Sequence, residues 1–584
     1  MMKLLYLLLA LSQSFTSLAT TRPPNSSDYV IVGAGPAGYV LATRLSENPA
    51  VRVTLLEAGP DGGNDPNMYT PGKAGALQGS RYNWNYTSQP DPRRGGIARA
   101  LPQGRTLGGG TSINFMSYSR GAASVYDEWA EISGIGGLRF ENLLEQFKRS
   151  TNLTIPYPID YAQAANHAVY GEGPVQISYE KETTGTEPYW GNAMSAAIGH
   201  HVHLIDPTDG RSIGRWNGGP HTININTGRR SSAQTSYGTV LSKRTNVNVI
   251  PEAEVTRIDI VNGKAVSVQY VSHTDNANYT ISATREIISS AGAIGSPKLL
   301  MLSGLGPREH LEALGIPVIK DIPELGDNLH DHHSAVVMSQ VPQSIVTIFT
   351  LKTNATLRAE AEARYQANGT GPLSQTLTSS TVTERPPDSL LDALNASYHK
   401  SLPEDRPILL YQYTTSPLRP NPEMLNPISG FVSLLQPEGH GYIRLASADY
   451  RDAPLIYSSF WGTDADLALI LYGYKKLRRA MASDILAPIV QREVFPGPQV
   501  QTDAELIQAI FASGWSFEHP TGTCSLGKVV DADFRIPGIQ GLRVVDSSTL
   551  PSQPTSPLSG AVYAVAELVA QMIRVDWSES SGDI

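Results

Sequence analysis

A single cysteine, Cys524, stands in 584 residues, so no intramolecular disulfide can form and the fold must rest on the size of its core. Cys524 itself is expected to be a small buried side chain. Lys and Arg form no extensive basic tract, and the chain carries a net charge of −9 with an isoelectric point near 5.8. That excludes a nucleic-acid partner, which needs concentrated positive charge. Runs of one sign are absent, and charged residues make up 17% against 40% hydrophobic; this excludes a disordered chain and calls for a large core, in two domains or one intertwined body. No fixed-period repeat is found. His200, His201 and His203, and again His330, His332 and His333, lack an accompanying thiolate set, so loop histidines are expected there and no metal. A serine hydrolase is not expected either.

What is present begins with Met1-Met2-Lys3 followed by the apolar stretch Leu4 to Leu11. This is far short of the roughly 20 residues that span a bilayer, so no membrane anchor is expected. With small residues at Ser17 and Ala19 it has the pattern of a signal peptide cleaved after Ala19, which implies a secreted chain. Seven acceptor sequons, at Asn25, Asn85, Asn152, Asn278, Asn354, Asn368 and Asn395, point to a glycoprotein.

Tyr29 to Val32 is a short apolar run of strand type, Pro36 to Asn48 carries apolar residues at helical spacing, and Val51 to Leu56 is a second buried run. The order is strand, helix, strand. Farther on, Glu254 to Ile260, Ala265 to Val271 and Arg285 to Ser289 are predicted as a meander, and Gly295 to Ser303 as a helix. Between about 330 and 505 short alternating segments, such as Gly430 to Leu435 and Gly441 to Leu445, predict a separate antiparallel sheet. A final helix is expected over Ala561 to Ile573, followed by a disordered polar tail.

Gly33-x-Gly35-x-x-Gly38 falls between the first strand and the first helix, where this spacing has mechanical meaning. Gly33 permits the tight turn, Gly35 lets backbone approach a pyrophosphate, and Gly38 lets helix pack on strand, while the helix N-terminus offers N–H groups to the anion. Glu57, at the end of the second strand, is placed to take the hydroxyls of an adenosine ribose. The unit implies a bound dinucleotide without separating NAD from FAD.

Gly104-Arg105-Thr106-Leu107-Gly108-Gly109-Gly110-Thr111-Ser112-Ile113-Asn114, continuing through Tyr118, Gly121 and Asp127, resembles the first signature of the glucose-methanol-choline oxidoreductases. The segment from Gly292 to Gly306 resembles the second, and Gly326 to His332, His519-Pro520-x-Gly522-Thr523-Cys524 and Leu542 to Asp546 resemble further landmarks. The likeness runs from residue 29 to about 573, and the chain resembles the fungal secreted type of aryl-alcohol oxidase, patulin synthase and versicolorin B synthase. It implies an α/β fold with a Rossmann-like FAD-binding domain and an α+β substrate domain built on an antiparallel sheet. The implied boundaries are 1–19 signal peptide, 28–320 the main FAD-binding part, 321–510 the main substrate part, 511–575 a C-terminal return carrying the catalytic histidine, and 576–584 a tail. The implied FAD contacts are Gly33, Gly35, Pro36, Ala37, Gly38, Glu57 and Ala58, then Arg105, Gly109, Thr111, Ser112 and Asn114. Val255 would touch adenine, and Asp546, Ser547, Leu558 and Ser559 would lie along the ribityl, pyrophosphate and ring.

In the family the histidine matching His519 faces the flavin and acts as general base, a role that suits a neutral imidazole. Its usual partner is a second His or Asn. Six residues before Tyr563 this chain has Pro557 instead, which has no side-chain donor or acceptor. Ser556, Ser559, Glu518 or a water could fill the gap, or the chemistry could be non-redox, as in the hydroxynitrile lyases and the versicolorin B synthase type of cyclase. The resemblance otherwise implies oxidation of a small aromatic or secondary-metabolite alcohol, with oxygen or a quinone-like molecule as electron acceptor.

Overall fold

The buried run at Tyr29 forms the strand Ser26–Val32, central in a seven-stranded sheet because Val30, Ile31 and the facing Leu55 and Ile287 are all fully buried. In the computed structural model the residues described are 25–155, 164–181, 187–376, 378–420, 423 and 425–581; the expected signal peptide lies outside them. The strand pairs in parallel with Val53–Leu56 on one side, beyond which lies Val247–Ile250, and with the C-terminal half of Ala277–Ser289 on the other. The same long strand turns antiparallel in its first half, where Ala277–Ser282 joins Lys264–Ser272 and Ala253–Val261 in a meander. The first two strands are those the sequence predicts, but Arg285 to Ser289, expected as the third, belongs to the parallel half, held against the first strand by its buried Ile287 and Ile288. Leu542–Val544 returns from the far end of the chain to pair with it in parallel. The carboxyl ends of the parallel strands therefore open on one side, where ligands bind in sheets of this kind.

The helix Pro36–Leu45 follows directly on the first strand, and Gly38 sets how closely: a Cβ there would stand 1.9 Å from the carbonyl oxygen of Gly33. The second sheet is antiparallel throughout, in the order Arg492–Phe495, His333–Gln340, Pro427–Leu434, Leu409–Thr414, Thr378–Glu384, Arg215–Asn217. Trp515–Ser516 adds to its edge beside His333 and Ser334. The helix Asp464–Met481 covers one face, started by a Thr463–Asp466 capping box and burying Leu469, Ile470, Tyr474 and Leu477 at helical spacing. Val336, Met338, Leu410 and Phe431 of this sheet pack together with Trp515 and Phe517, and after Trp515–Ser516 the chain goes on to Leu542–Val544 in the first sheet.

Two differences from the sequence expectation concern the C-terminus. The final helix runs over Leu558–Ser581, beyond both ends of Ala561 to Ile573, and residues 576 and 577 are anchored. The Asp576 carboxylate pairs with Arg535 at 2.7 Å and with the fully buried Arg543 at 2.5 Å, and the Trp577 indole donates to Glu286 at 3.0 Å. The stretch Leu558–Trp577 is long and apolar enough to cross a membrane, but 67% of it is buried inside this fold. Cys524 is buried and free.

Candidate active site

A cleft opens at the carboxyl ends of the parallel strands and runs from the glycine turn at Gly33 and Gly35 to His519, Pro557 and Leu558. Its floor is free of side chains where a large anion would lie. Gly35, Gly110 and Gly292 line it, and a Cβ built on any of the three would meet nothing within 4 Å on the protein. Gly33 is different. Its backbone is left-handed at φ 101°, and a Cβ would stand 2.4 Å from the carbonyl oxygen of Ser290, so only glycine makes this turn.

Glu57 lines the cleft and holds the turn with it: one carboxylate oxygen accepts the Ala34 N–H at 2.9 Å and the other accepts the Gly59 N–H at 2.9 Å. Burial pushes its carboxyl up to about 7. Pro36, Ala37 and Ala58 stand beside it in the wall, and Val255 lies with Leu299, Leu302 and Tyr450 at that end of the cleft. Asp546 and Ser547 also line it, but the Asp546 carboxylate is spent on the protein. It takes hydrogen bonds from the Gly292 N–H at 2.9 Å, the Ser296 hydroxyl at 2.5 Å and the Ser548 N–H at 2.7 Å, which fixes the start of the helix Gly292–Leu302. Burial holds this carboxyl above the usual range.

Among the glycine-rich segment, Gly109, Thr111 and Asn114 line the cleft, whereas Arg105 and Ser112 do not. The Ser112 hydroxyl donates to the Leu107 carbonyl at 2.8 Å, and the Arg105 guanidinium lies 5.0 Å over the Trp84 ring and 3.8 Å from Glu254. Gly38 lies behind the wall, between helix and strand. One residue the sequence did not flag anchors this segment. Arg230, buried at 3% exposure, donates to the Thr111 and Asn114 carbonyls and to the Asn114 side-chain oxygen at 2.7 Å. That leaves the Asn114 amide nitrogen without a partner among the described residues.

His519 stands at the opposite end, and a second unflagged residue decides its form. The His332 ring, fully buried, has its Nε2 at 3.1 Å from the Leu435 carbonyl and 3.0 Å from the Pro554 carbonyl. Both are acceptors, so His332 Nε2 carries its proton and His332 Nδ1 has a lone pair. His332 Nδ1 is 2.9 Å from His519 Nδ1, which must then be the donor of that bond. The proton of neutral His519 is thereby fixed on Nδ1, and Nε2 is left with an open lone pair and no partner among the described residues. Burial, with His332 adding to it, holds His519 well below the ordinary imidazole range, and burial brings His332 down to about 4. The backbone is clamped as well: the His519 N–H donates to Asp331 at 2.9 Å, and its carbonyl accepts from Gln553 at 3.1 Å. Leu558, Ser559 and Pro557 complete the wall facing the imidazole.

The histidine clusters do not gather ligands. Among the described residues no group of three His, Cys, Asp or Glu could hold a metal ion, and His333 is stacked on Phe460 at 3.8 Å. The pentapeptide Gly210-Arg211-Ser212-Ile213-Gly214 has the spacing of a hydrolase elbow, which sequence reading passed over. Its Ser212 hydroxyl is buried against Thr555 at 3.1 Å, with no imidazole bonded to it.

A dinucleotide turn joined by one cleft to a base of defined tautomer narrows the choice of protein, and comparison with known families decides it. Two GMC oxidoreductase family profiles match residues 27–334 and 437–566. The chain belongs to the GMC oxidoreductases. A glucose-methanol-choline family oxidoreductase mfmG of Annulohypoxylon moriforme is 32% identical, with 97% of each chain covered, and an oxygen-dependent choline dehydrogenase of Pseudomonas putida is 33% identical, with 94% of each covered. Among solved structures, formate oxidase of Aspergillus oryzae superposes with a TM-score of 0.86 at 27% identity, covering 95% of this chain and 99% of that one. A fungal aryl-alcohol oxidase gives 0.81 at 25% identity, covering 95% and 100%. Like other GMC oxidoreductases, the protein is an FAD enzyme. The residues fit the cofactor: Gly35, Gly110 and Gly292 leave space in the cleft that a pyrophosphate would need, Glu57 lines it as a carboxylate that would accept from a ribose, and the Asn114 amide nitrogen has no partner among the described residues and would be available to donate.

Proposed function

We propose that this GMC oxidoreductase oxidises an alcohol, with His519 taking the hydroxyl proton. The observation that carries the reading is the lone pair on His519 Nε2, fixed by the His332 bond and opening on the cleft. Bound FAD supplies the acceptor for the hydride that leaves the alcohol carbon. The Asp331 and Gln553 bonds to its backbone and the His332 bond to its ring hold the imidazole in place.

Phe115, Trp515 and Phe517 line the cleft, with the Phe517 ring 4.8 Å from His519 and 5.5 Å from Trp515, which favours a small aromatic alcohol. Relatives named for choline, aryl alcohols and formate support a small CH–OH or carboxylic substrate, and the names oxygen-dependent dehydrogenase and oxidase support oxygen as final acceptor, a quinone-like molecule being the alternative. The FAD half is assigned to 28–320 with 511–575, and the substrate half to 321–510. Secretion is supported by the N-terminal pattern and by the exposure of Asn85, Asn278, Asn354, Asn368 and Asn395; glycosidase treatment of protein from a secreting host should lower its mass.

A second reading is favoured by one observation: Pro557 lines the cleft where the family has a second hydrogen-bonding side chain. With no group there to steady an alkoxide, the base could serve a non-redox cyclase or lyase. Anaerobic mixing of the yellow protein with aromatic alcohols separates the two. Bleaching of the flavin supports oxidation, and conversion of an added substrate without bleaching overturns it.

A further inference from the structure

Beside the base, the wall of the cleft carries an acid that neither the glycine motif nor the base assignment uses. Along an extended chain successive side chains face opposite ways, and the segment begins so: Trp515 faces the cleft, Ser516 turns away to Asp331, and Phe517 faces the cleft again. At Glu518 the alternation breaks. Its backbone is left-handed, at φ 66°, a conformation that costs a glutamate about 1 kcal/mol. The break is held in place by the Ser516 hydroxyl, which accepts the Glu518 N–H at 2.8 Å, and by Asp331, which accepts the His519 N–H. Its result is that Phe517, Glu518 and His519 all line one cleft, which Pro557 lines too.

We propose that the Glu518 carboxyl, as a neutral acid, donates the hydrogen bond to the reacting substrate oxygen that Pro557 cannot supply. This rests on the alcohol-oxidation reading above. The hydroxyl proton would pass to His519 Nε2, bound FAD would supply the acceptor for the hydride, and Glu518 would keep its proton throughout, so the step needs no further reactant. The acid is neutral where it is needed: burial, reinforced by the Asp331 charge behind it and partly offset by the Gln78 amide, pushes its carboxyl up to about 8. Asp331, itself raised to about 7 by burial, and the neutral His519 are the titratable neighbours.

The test uses holoprotein and a probe that undergoes no redox chemistry, 4-methoxybenzoate, whose carboxylate presents an anionic oxygen to the same groups; binding is read from the perturbation of the flavin spectrum. Wild type should lose at least about tenfold in affinity between pH 7 and 9, as Glu518 ionises. Glu518→Gln, which keeps a donor and cannot ionise, should change by less than about threefold over the same range. Glu518→Leu should bind at least about tenfold more weakly than wild type at pH 7. Anaerobic flavin reduction by 4-methoxybenzyl alcohol should fall about 10²-fold in Glu518→Leu and less than about tenfold in Glu518→Gln, the scale of losing one preorganised donor. Wild type that binds no benzoate, Glu518→Leu that binds it as tightly as wild type, or Glu518→Gln that keeps the alkaline fall overturns the assignment. If Glu518→Leu does not fold, the comparison of pH profiles between wild type and Glu518→Gln decides alone. Should the benzoate pattern hold while the alcohol leaves wild-type flavin unbleached, the alcohol reading fails and the assignment of Glu518 stands.

Discussion

Replacing His332 with leucine tests whether the second histidine acts through the first. The ring is fully buried and takes part in two sets of contacts. Its Nδ1 accepts the proton of His519 Nδ1 at 2.9 Å, and its Nε2 donates toward the Leu435 and Pro554 carbonyls. Leucine removes both. The Leu435 carbonyl keeps the Gln436 amide at 2.8 Å, so the groups left without a partner are the Pro554 carbonyl and the His519 Nδ1–H. Each buried unpaired group costs about 1–3 kcal/mol, so with two of them the variant should lose about 2–6 kcal/mol of stability. The catalytic effect is separate. With nothing to hold the proton on Nδ1, His519 is free to present N–H instead of a lone pair to the cleft, and part of the 10²–10⁴-fold that a positioned base contributes is forfeited. We expect anaerobic flavin reduction to slow about 10²-fold, or about 2.7 kcal/mol of barrier, in protein that is still yellow and measured well below its melting temperature. The double variant His332→Leu/His519→Ala should be no slower than His519→Ala alone, because groups acting as one unit are not additive. A single variant that reduces its flavin within threefold of wild type, or a double variant in which the two losses add, would refute the reasoning.

Other expectations follow from single contacts. Gly35→Val should fold and melt cooperatively but purify colourless, since its side chain enters only the cleft, whereas Gly33→Val should fail to fold because it collides with the Ser290 carbonyl; absorbance and yield check both. His333 has neither ring nitrogen bonded, and burial brings it down to about 3. Below an unfolded pKa of about 6.5 the unfolded chain therefore takes a proton that the native state refuses, so stability is lost as pH falls. His333→Phe should accordingly gain about 2 kcal/mol more, relative to wild type, at pH 5 than at pH 8, read by denaturant unfolding at the two pH values. Ending the chain at Ile573 removes the Asp576 partner of buried Arg543 and the Trp577 contact to Glu286. A loss of about 3 kcal/mol is expected, and an unchanged melting temperature would mean the end of the helix carries nothing.

What the sequence made legible, and what it did not, divides along the range of the interactions involved. The strand, glycine turn and helix from Ser26 to Leu45 could be read because the constraint is local: Gly33 is required by its own backbone angle and Gly38 by a carbonyl five residues away. The first two strands of the meander were readable for the same reason, from alternation and a tight turn, but the third was misplaced at Arg285 to Ser289, because the change from antiparallel to parallel pairing within one long strand is set by the distant first strand. The end of the last helix was not, because Asp576 and Trp577 look like a polar tail until Arg543 and Glu286 are brought to them from 33 and 291 residues away. His332 shows the limit most clearly. In the sequence it is one of three histidines in four residues, chemically indistinguishable from its neighbours His330 and His333. Only the fold gives it two carbonyls on one nitrogen and His519 on the other, while His333 meets the face of Phe460. Its role is set by which atoms are donors and which are acceptors around it, and those atoms arrive from residues 435, 519 and 554. A family motif can locate the base, since the motif is what the cofactor requires of the chain. The proton on that base is placed by groups the motif does not contain, so its chemistry is a property of the tertiary structure.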